Sequence, residues 1–237
     1  MPQDHTCSHH FDDASTNGRA CVTLVPIFNH LTKEQMDEVM EVVRGVSFKK
    51  GEMIYRADDK SDSLYIVNRG QVKIYRLSES GKEQLVRILN PGDFTGELAL
   101  FKQSVHEAYA EAVVNSEICM IRREDLQRLL LQYPTISLKI LQEFSNRLAT
   151  SEKQTTSVAT EKVDTRIALF LVECIAEKNG NEAAIELPMS RKDLASYLGT
   201  TPETVSRKLA EFEDAGLIKQ SGQRTMKLLD IDGLLFV

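Results

Sequence analysis

The chain has 237 residues, of which 42% are hydrophobic and 27% are charged, and its formal net charge at pH 7 is −6. This length accommodates two domains with separate cores. No apolar run approaches the roughly 20 residues of a membrane helix, and no signal-peptide pattern is present, so we predict a cytoplasmic protein with no membrane partner. The acidity is uneven, because residues 186–227 carry seven Lys and Arg against six Asp and Glu.

The first part of the chain changes from a polar arm to a strand-rich pattern. Residues 1–20 are polar and lack hydrophobic periodicity, which predicts an N-terminal arm. A short helix is expected within residues 24–43. From Val46 onward, glycines separate short alternating stretches, which is typical of an antiparallel β-barrel or jelly roll. We therefore predict a sensor domain of this kind over residues 21–130.

A long amphipathic helix is predicted after the strands, in residues 131–160. Helical signals begin at Asp125 and are interrupted at Pro134. Four apolar residues then recur at helical spacing, namely Leu138, Leu141, Phe144 and Leu148. A helix with such an apolar stripe between two domains is expected to pack against its copy in a homodimer.

Residues 161–237 contain the pattern of a winged helix-turn-helix. Ser190 is a plausible N-cap, with Asp193 at the capping-box spacing. Gly199 permits a tight turn, after which Thr201 caps a second helix that has Pro202 at its first position. Two short strands around a turn at residues 221–222 complete a predicted wing.

The second of these helices has a polar outer face suited to reading DNA. Glu203, Ser206 and Arg207 lie together when the apolar residues of the helix point inward. Arginine bonds bidentately to guanine, and a carboxylate accepts from the amino group of cytosine. The other residues predicted to contact double-stranded DNA are Thr201, Thr204, Lys208 and Arg224. An ion pair between Glu203 and Arg207 on a solvated helix is the alternative.

Several motifs resemble those of the Crp/Fnr family of bacterial transcription regulators, in its Fnr-like, Flp-type branch. The resemblance covers about residues 21–230 and depends on four segments, which are Leu64-Tyr65-Ile66-Val67 with Gly70, Pro91-Gly92-Asp93, Gly96-Glu97-Leu98 and Glu203-Thr-Val-Ser-Arg207. It implies an α+β fold with a cyclic-nucleotide-binding-like barrel, a dimerisation helix and a winged helix-turn-helix. It also implies a homodimer bound to an inverted repeat with TTGAT-like half-sites, and RNA polymerase as a partner.

The resemblance also bears on the ligand of the barrel. In the cyclic-nucleotide branch, an Arg-Ser pair holds the cyclic phosphate about ten residues after the Gly-Glu-Leu segment. Here Glu107 and Ala108 stand at those positions, while Glu97 matches the ribose-contacting carboxylate. Because a carboxylate repels a phosphate at close range, we expect no cyclic nucleotide to bind.

The cysteines leave three interpretations open. Cys21 and Cys119 match the contexts of cluster-binding cysteines in oxygen-sensing Fnr proteins, and a redox-dependent disulfide between them, without a cofactor, resembles cluster-less Fnr-like proteins. A second interpretation is zinc or an iron–sulfur cluster, held by Cys7, Cys21 and Cys119 with His9, His10 or Asp13. In the third, the cysteines are inert and the barrel binds a small organic or nucleotide effector. Cys174 lies in an apolar helix and is expected to be a core thiol.

The main alternative to a regulator is an enzyme, because cupin-like barrels host metal-dependent catalysis. Such catalysis needs several converging histidines, and His106 is the only histidine between residues 46 and 120. The Gly-rich phosphate loop and the nucleophile elbow are also missing from the sequence. We therefore predict a DNA-binding regulator that responds to redox state or oxygen and is not an enzyme.

Overall fold

The computed structural model describes residues 22–23, 25–101, 104–177 and 180–237. The chain forms two compact units. Unit 1 comprises the chain up to Arg76 together with Arg87–Ser145, and unit 2 comprises Leu77–Val86 and Asn146–Val237. None of the helices in the described part is long and apolar enough to cross a membrane.

The short helix expected within residues 24–43 is present in unit 1. Helix α1 (Lys33–Val42) starts after Thr32, whose hydroxyl accepts from the backbone of Gln35 while the Gln35 side chain accepts from the backbone of Thr32. This reciprocal capping box fixes the helix start, and residues 26–30 before it form turns. Val39 is the buried residue of α1.

Ten short strands and a 3-10 turn (Glu97–Leu100) follow α1. The strands are β1 (Arg44–Phe48), β2 (Met53–Tyr55), β3 (Lys60–Ser61), β4 (Ser63–Arg69), β5 (Val72–Leu77), β6 (Glu83–Leu89), β7 (Phe94–Thr95), β8 (Ser104–Val105), β9 (Tyr109–Ala112) and β10 (Ser116–Arg122). Two four-stranded sheets have the orders β1-β10-β4-β7 and β2-β9-β5-β6, and β3 pairs with β8. The pairings are antiparallel, and the predicted fold class is confirmed.

The sheet that contains β10 separates two hydrophobic clusters of unit 1. Successive side chains of a strand point to opposite faces, so Ile118 joins the cluster between the sheets while Cys119 joins the other. The cluster around Cys119 also contains Val22 and residues of two helices, α2 (Arg123–Gln132) and α3 (Pro134–Thr160). This cluster therefore joins the N-terminal segment to the helices behind the sheet.

Unit 2 contains the last turns of α3 and a compact helical domain with a small sheet. Its elements are α4 (Val163–Glu173), β11 (Ala183–Glu186), α5 (Arg191–Tyr197), α6 (Pro202–Asp214), β12 (Ile218–Gln220), β13 (Thr225–Leu228) and α7 (Ile231–Leu235). The wing has three strands in the order β11-β13-β12, one more than the two predicted. Ile167, Leu171, Leu209 and Leu228 are fully buried and form part of the core.

Candidate nucleic-acid interface and cysteine site

Helix α5 and the turn after it form as their sequence predicts. The Ser190 hydroxyl accepts from the backbone N–H of Asp193 at 3.1 Å, which caps α5. The Asp193 carboxylate accepts from that hydroxyl at 2.5 Å. Leu194 and Ala195 are buried, and Gly199 has a φ of +66°, a left-handed conformation that favours glycine. The chain therefore turns sharply between α5 and α6.

The phase of helix α6 is fixed by its cap and its buried face. The Thr201 hydroxyl accepts from the backbone N–H of Thr204 at 3.3 Å, and Pro202 stands in the first turn. Val205 and Leu209 are 0% exposed. Residues three and four positions apart share a face of a helix, so the remaining polar positions face away from the core.

The structure places Glu203, Ser206 and Arg207 on the exposed side of α6. The pKa of Glu203 is lowered, first by a hydrogen bond from its own backbone N–H and then by the Thr201 side chain. Glu203 is therefore an ionised hydrogen-bond acceptor at neutral pH. The Arg207 Nε atom lies 3.7 Å from Glu211 Oε1, so the i, i+4 partner of Arg207 is Glu211 rather than Glu203.

All four of the other candidate DNA contacts have partners inside unit 2. Lys208 Nζ donates to Glu211 Oε2 at 2.7 Å and lies 3.5 Å from Asp164 Oδ2, which connects α6 to α4. Arg224 Nε donates to the carbonyl of Leu187 at 2.8 Å. The hydroxyls of Thr201 and Thr204 are 3.1 Å apart. These side chains support the fold of the interface as well as its polar surface.

Sequence reasoning missed a hydrogen-bond network that holds the wing against both helices. Arg191 Nη2 in α5 donates to the Gln220 Oε1 atom at 2.7 Å, and Arg191 Nε donates to the carbonyl of Gln223 at 3.2 Å. The Gln220 backbone and side chain donate in turn to the two carboxylate oxygens of Glu213 in α6 at 2.8 and 2.7 Å. No sequence signal pairs these residues, because their contacts depend on the tertiary arrangement.

In the barrel, Glu107 and Glu97, which occupy positions used for cyclic-nucleotide binding in relatives of that branch, each form an ion pair with an arginine. Glu107 Oε2 accepts from Arg76 Nη2 at 2.8 Å, and both side chains are more than half exposed. Glu97 Oε1 accepts from Arg87 Nη2 at 3.1 Å in a more buried setting. An approaching phosphate would meet a carboxylate at residue 107, and the nearby arginine is already paired with that carboxylate.

His106 lies inside the barrel among aromatic rings. Its ring stacks on Tyr55 with centroids 3.7 Å apart and an interplanar angle of 7°. Burial lowers the pKa of His106, although nearby carboxylates, first among them Asp59, oppose that shift. In the described residues, no three His, Cys, Asp or Glu side chains come together as a group that could hold a metal ion.

Cys119 lies in β10, is 3% exposed and is disulfide-bonded. Cys174, at the end of α4, carries a free thiol, and burial, with a smaller contribution from Glu173, raises its pKa to about 11. At neutral pH the Cys174 thiol is therefore protonated and a weak nucleophile. The other candidate cysteine and metal residues lie outside the described residues, namely Cys7, His9, His10, Asp13 and Cys21.

An antiparallel barrel with a long helix and a winged helix-turn-helix defines a DNA-binding transcription regulator. Family models agree, since a cyclic nucleotide-binding domain matches residues 45–133 and a Crp-like helix-turn-helix domain matches residues 165–236. The chain is 32% identical to the "Probable transcriptional regulator flp" of Lacticaseibacillus casei, over 86% of this chain and 92% of that one. The protein belongs to the Crp/Fnr family of transcription regulators, and its relatives are not enzymes.

Further relatives share this fold and organisation. The transcriptional activator protein Anr of Pseudomonas protegens is 33% identical over 81% of this chain and 80% of its own. The structure of FixK2 from Bradyrhizobium japonicum has a TM-score of 0.70 and 28% identity, over 81% of this chain and 96% of that chain. The similarity therefore extends across both units rather than over one domain alone.

Proposed function

We propose that this protein is a homodimeric regulator whose DNA binding responds to redox state through a disulfide between Cys21 and Cys119. This proposal depends on the observation that Cys119 is disulfide-bonded inside the core of unit 1. Disulfides in cytosolic proteins are usually transient and redox-sensing rather than structural. The proposed DNA site is an inverted repeat with TTGAT-like half-sites, and RNA polymerase is the proposed protein partner.

Cys21 is the proposed partner because of its neighbour in the sequence. Val22 is 1% exposed and belongs to the same hydrophobic cluster as Cys119. Because consecutive Cα atoms are about 3.8 Å apart, the buried position of Val22 supports Cys21 as the partner. Cys174 has a free thiol and is thereby excluded as the partner.

The names of several relatives support a redox or oxygen signal. The "Anaerobic regulatory protein" of Haemophilus influenzae is 28% identical over 98% of this chain. The "Electron transport regulator A" of Shewanella oneidensis is 30% identical over 92% of this chain. One name refers to anaerobic regulation and the other to regulation of electron transport, and both are consistent with a redox or oxygen signal.

The proposed dimer forms through the exposed apolar stripe of α3. Ile136 and Ile140 are buried in unit 1, and Phe144 of the predicted stripe packs partly against the same cluster. The other three stripe residues, Leu138, Leu141 and Leu148, are 67%, 58% and 61% exposed. Exposed leucines recurring along one helix are costly in water, and a second copy of the same stripe removes them from solvent. A two-fold dimer in turn matches an inverted repeat.

On DNA, Arg207 is proposed to bond a guanine, Glu203 the amino group of a cytosine, and Ser206 a base edge or a phosphate. Support comes from the exposure of all three side chains on one side of α6. The ionised state of Glu203 fits the role, since a carboxylate near phosphates is tolerated only where it meets a base donor.

Fluorescence anisotropy with an inverted-repeat duplex tests the redox proposal. We expect oxidised and dithiothreitol-reduced protein to differ in DNA affinity by about tenfold, a typical coupling between two sites. Cys21→Ser and Cys119→Ser should each abolish that difference, whereas Cys174→Ser, the matched control, should keep it. An unchanged redox difference in Cys119→Ser would overturn the disulfide switch. Stoichiometric zinc or iron in anaerobically purified protein would instead favour the ligand set of Cys7, Cys21 and Cys119.

A further inference from the structure

A cavity of about 540 Å³ lies within unit 2, between the last turns of α3, helix α4 and the end of α5. Its volume falls in the range of roughly 300–1,000 Å³ that is typical of small-molecule sites. Much of its wall is apolar, formed by Val158, Leu169, Phe170, Tyr197 and Leu198. The rings of Phe170 and Tyr197 are tilted by 58° with centroids 5.6 Å apart, which gives one wall an aromatic surface.

Arg166 is the unusual residue of this cavity, because it is a charged side chain that is only 7% exposed. Its Nη1 atom donates to the carbonyl of Val158 at 2.9 Å, while its Nε atom is buried with no hydrogen-bond partner. Across the part of the chain that the structure describes, Arg166 has no carboxylate partner. Since buried charges in proteins are normally paired, this guanidinium lacks a counter-ion.

The carboxylates at the rim of the cavity do not supply that counter-charge. Glu173 forms an ion pair with Lys153, which also lines the cavity. Glu161 is exposed, and its Oε1 atom lies 3.4 Å from the hydroxyl of Thr160. The interior of the cavity therefore keeps a net positive group next to apolar walls.

We propose that this cavity binds a small organic anion with an aromatic body, of the aromatic carboxylate class. The carboxylate would pair with the guanidinium of Arg166 in a charge-assisted contact, and the ring would pack between Leu169, Phe170 and Tyr197. Such a ligand touches α3, α4 and α5 together, so it fastens the end of the long helix to the DNA-reading domain. This role is separate from the proposed cysteine switch in unit 1.

The cavity stays accessible in the proposed dimer. Ser157, which lines it, comes nine residues after Leu148 on α3, or two and a half helical turns. The two positions therefore lie on opposite faces of the helix. Pairing of two copies through the leucine stripe leaves the Ser157 face uncovered.

Binding of 1-naphthoate, measured by its own fluorescence, tests the proposal on the full-length protein. The chain has no tryptophan, so the naphthalene signal is free of tryptophan emission. We expect saturable binding at one site per chain, and binding of the neutral analogue 1-naphthalenemethanol that is roughly tenfold weaker, because it leaves the buried charge unpaired. Absence of saturable 1-naphthoate binding, or equal affinity for the two compounds, would overturn the proposal.

Variants separate the cavity from other apolar surfaces. Arg166→Gln should remove the preference for the anion. Because that change affects a buried residue, a second variant is needed that leaves Arg166 in place. Ser157→Phe, at a half-exposed position of α3, fills the cavity with a larger side chain. Ser151→Phe, at an exposed α3 position outside the cavity, is the matched control and should bind 1-naphthoate normally. Undiminished binding by Ser157→Phe would place the dye elsewhere and refute the site.

Discussion

Helix α6 of unit 2 and the barrel of unit 1 differ in where they keep their polar side chains. In unit 2, helix α6 buries only apolar residues and presents its polar residues to solvent. In unit 1, the barrel encloses polar groups that bond one another, such as the Tyr55 and Thr95 hydroxyls, 2.7 Å apart, and the Arg87–Glu97 pair. Substitutions of exposed α6 residues, such as Ser206 and Arg207, can therefore alter function with little change in stability. Changes inside the barrel disturb stability first, because they leave buried partners unsatisfied.

The largest effect is expected from truncating the core of the DNA-reading domain. Leu209→Ala removes a side chain that is 0% exposed beneath the reading face, and such changes cost about 2–5 kcal/mol. Thermal unfolding followed by circular dichroism should show a lowered transition. Ser206→Ala on the exposed face is the control and should leave the transition in place. An equal loss in both variants would contradict the division of α6 into a core face and a reading face.

In the barrel, alanine substitutions at two glycines distinguish the cost of backbone strain from the cost of steric crowding. Gly70 and Gly51 have φ values of +89° and +85°, so alanine at either is expected to cost about 1–2 kcal/mol from the left-handed backbone. A Cβ at Gly70 would also lie 2.2 Å from Ser116 Oγ, whereas a Cβ at Gly51 meets nothing within 4 Å. We expect Gly70→Ala to cost roughly 1–3 kcal/mol more than Gly51→Ala in urea unfolding. Equal costs would contradict the crowding at Gly70, where the carbonyl oxygen of Asn115 and the Cα of Ser116 also lie 2.7 Å from such a Cβ.

The reading face is tested by changes that spare stability. Arg207→Ala should weaken binding to the specific duplex by about 1–3 kcal/mol and relax the choice at one guanine, with little change on scrambled DNA. Lys219→Ala, in the wing, should instead weaken both duplexes alike if it contacts phosphate. Anisotropy titrations at one fixed salt concentration measure both variants. A uniform loss in Arg207→Ala would make it a phosphate contact.

The smallest effect concerns the pH dependence of the barrel. Because burial lowers the folded-state pKa of His106, the unfolded chain binds this proton more readily as pH falls through the ordinary value of 6.5. Stability should therefore fall on acidification from that pH down to the lowered pKa. His106→Gln should flatten this part of a urea-unfolding profile, compared with the wild type. A steeper profile in the variant would show that the nearby carboxylates, and not burial, govern His106.

Local patterns predicted the parts of the molecule whose structure depends on near neighbours. The caps at Ser190 and Thr201 and the phase of α6 follow from residues within a few positions of each other. Strand β11 (Ala183–Glu186) was missed, because it pairs with β13 some forty residues further along. The burial of Arg166 was not predicted either. Whether an arginine in an apolar helix is buried depends on the elements that pack around it.

The proposed cysteine pair is a second feature that local sequence patterns could not predict. The alternation of β10 distinguishes the two faces of the strand, but it does not say that the face of Cys119 is covered by the N-terminal segment. That knowledge requires contacts between residues about a hundred positions apart. The family resemblance, and not the strand pattern, supplied the pairing with Cys21 as a prediction.

The network of Arg191, Gln220 and Glu213 has a consequence for the DNA itself. Because it joins α5, α6 and the wing, the side chains proposed to reach bases and those proposed to reach the DNA backbone keep a fixed separation. A half-site whose groove width or twist does not match this separation must then bend or unwind to contact both sets of side chains. Sequences that deform easily at positions the protein never touches should therefore be favoured, so that stiffness of the duplex becomes part of what this regulator selects.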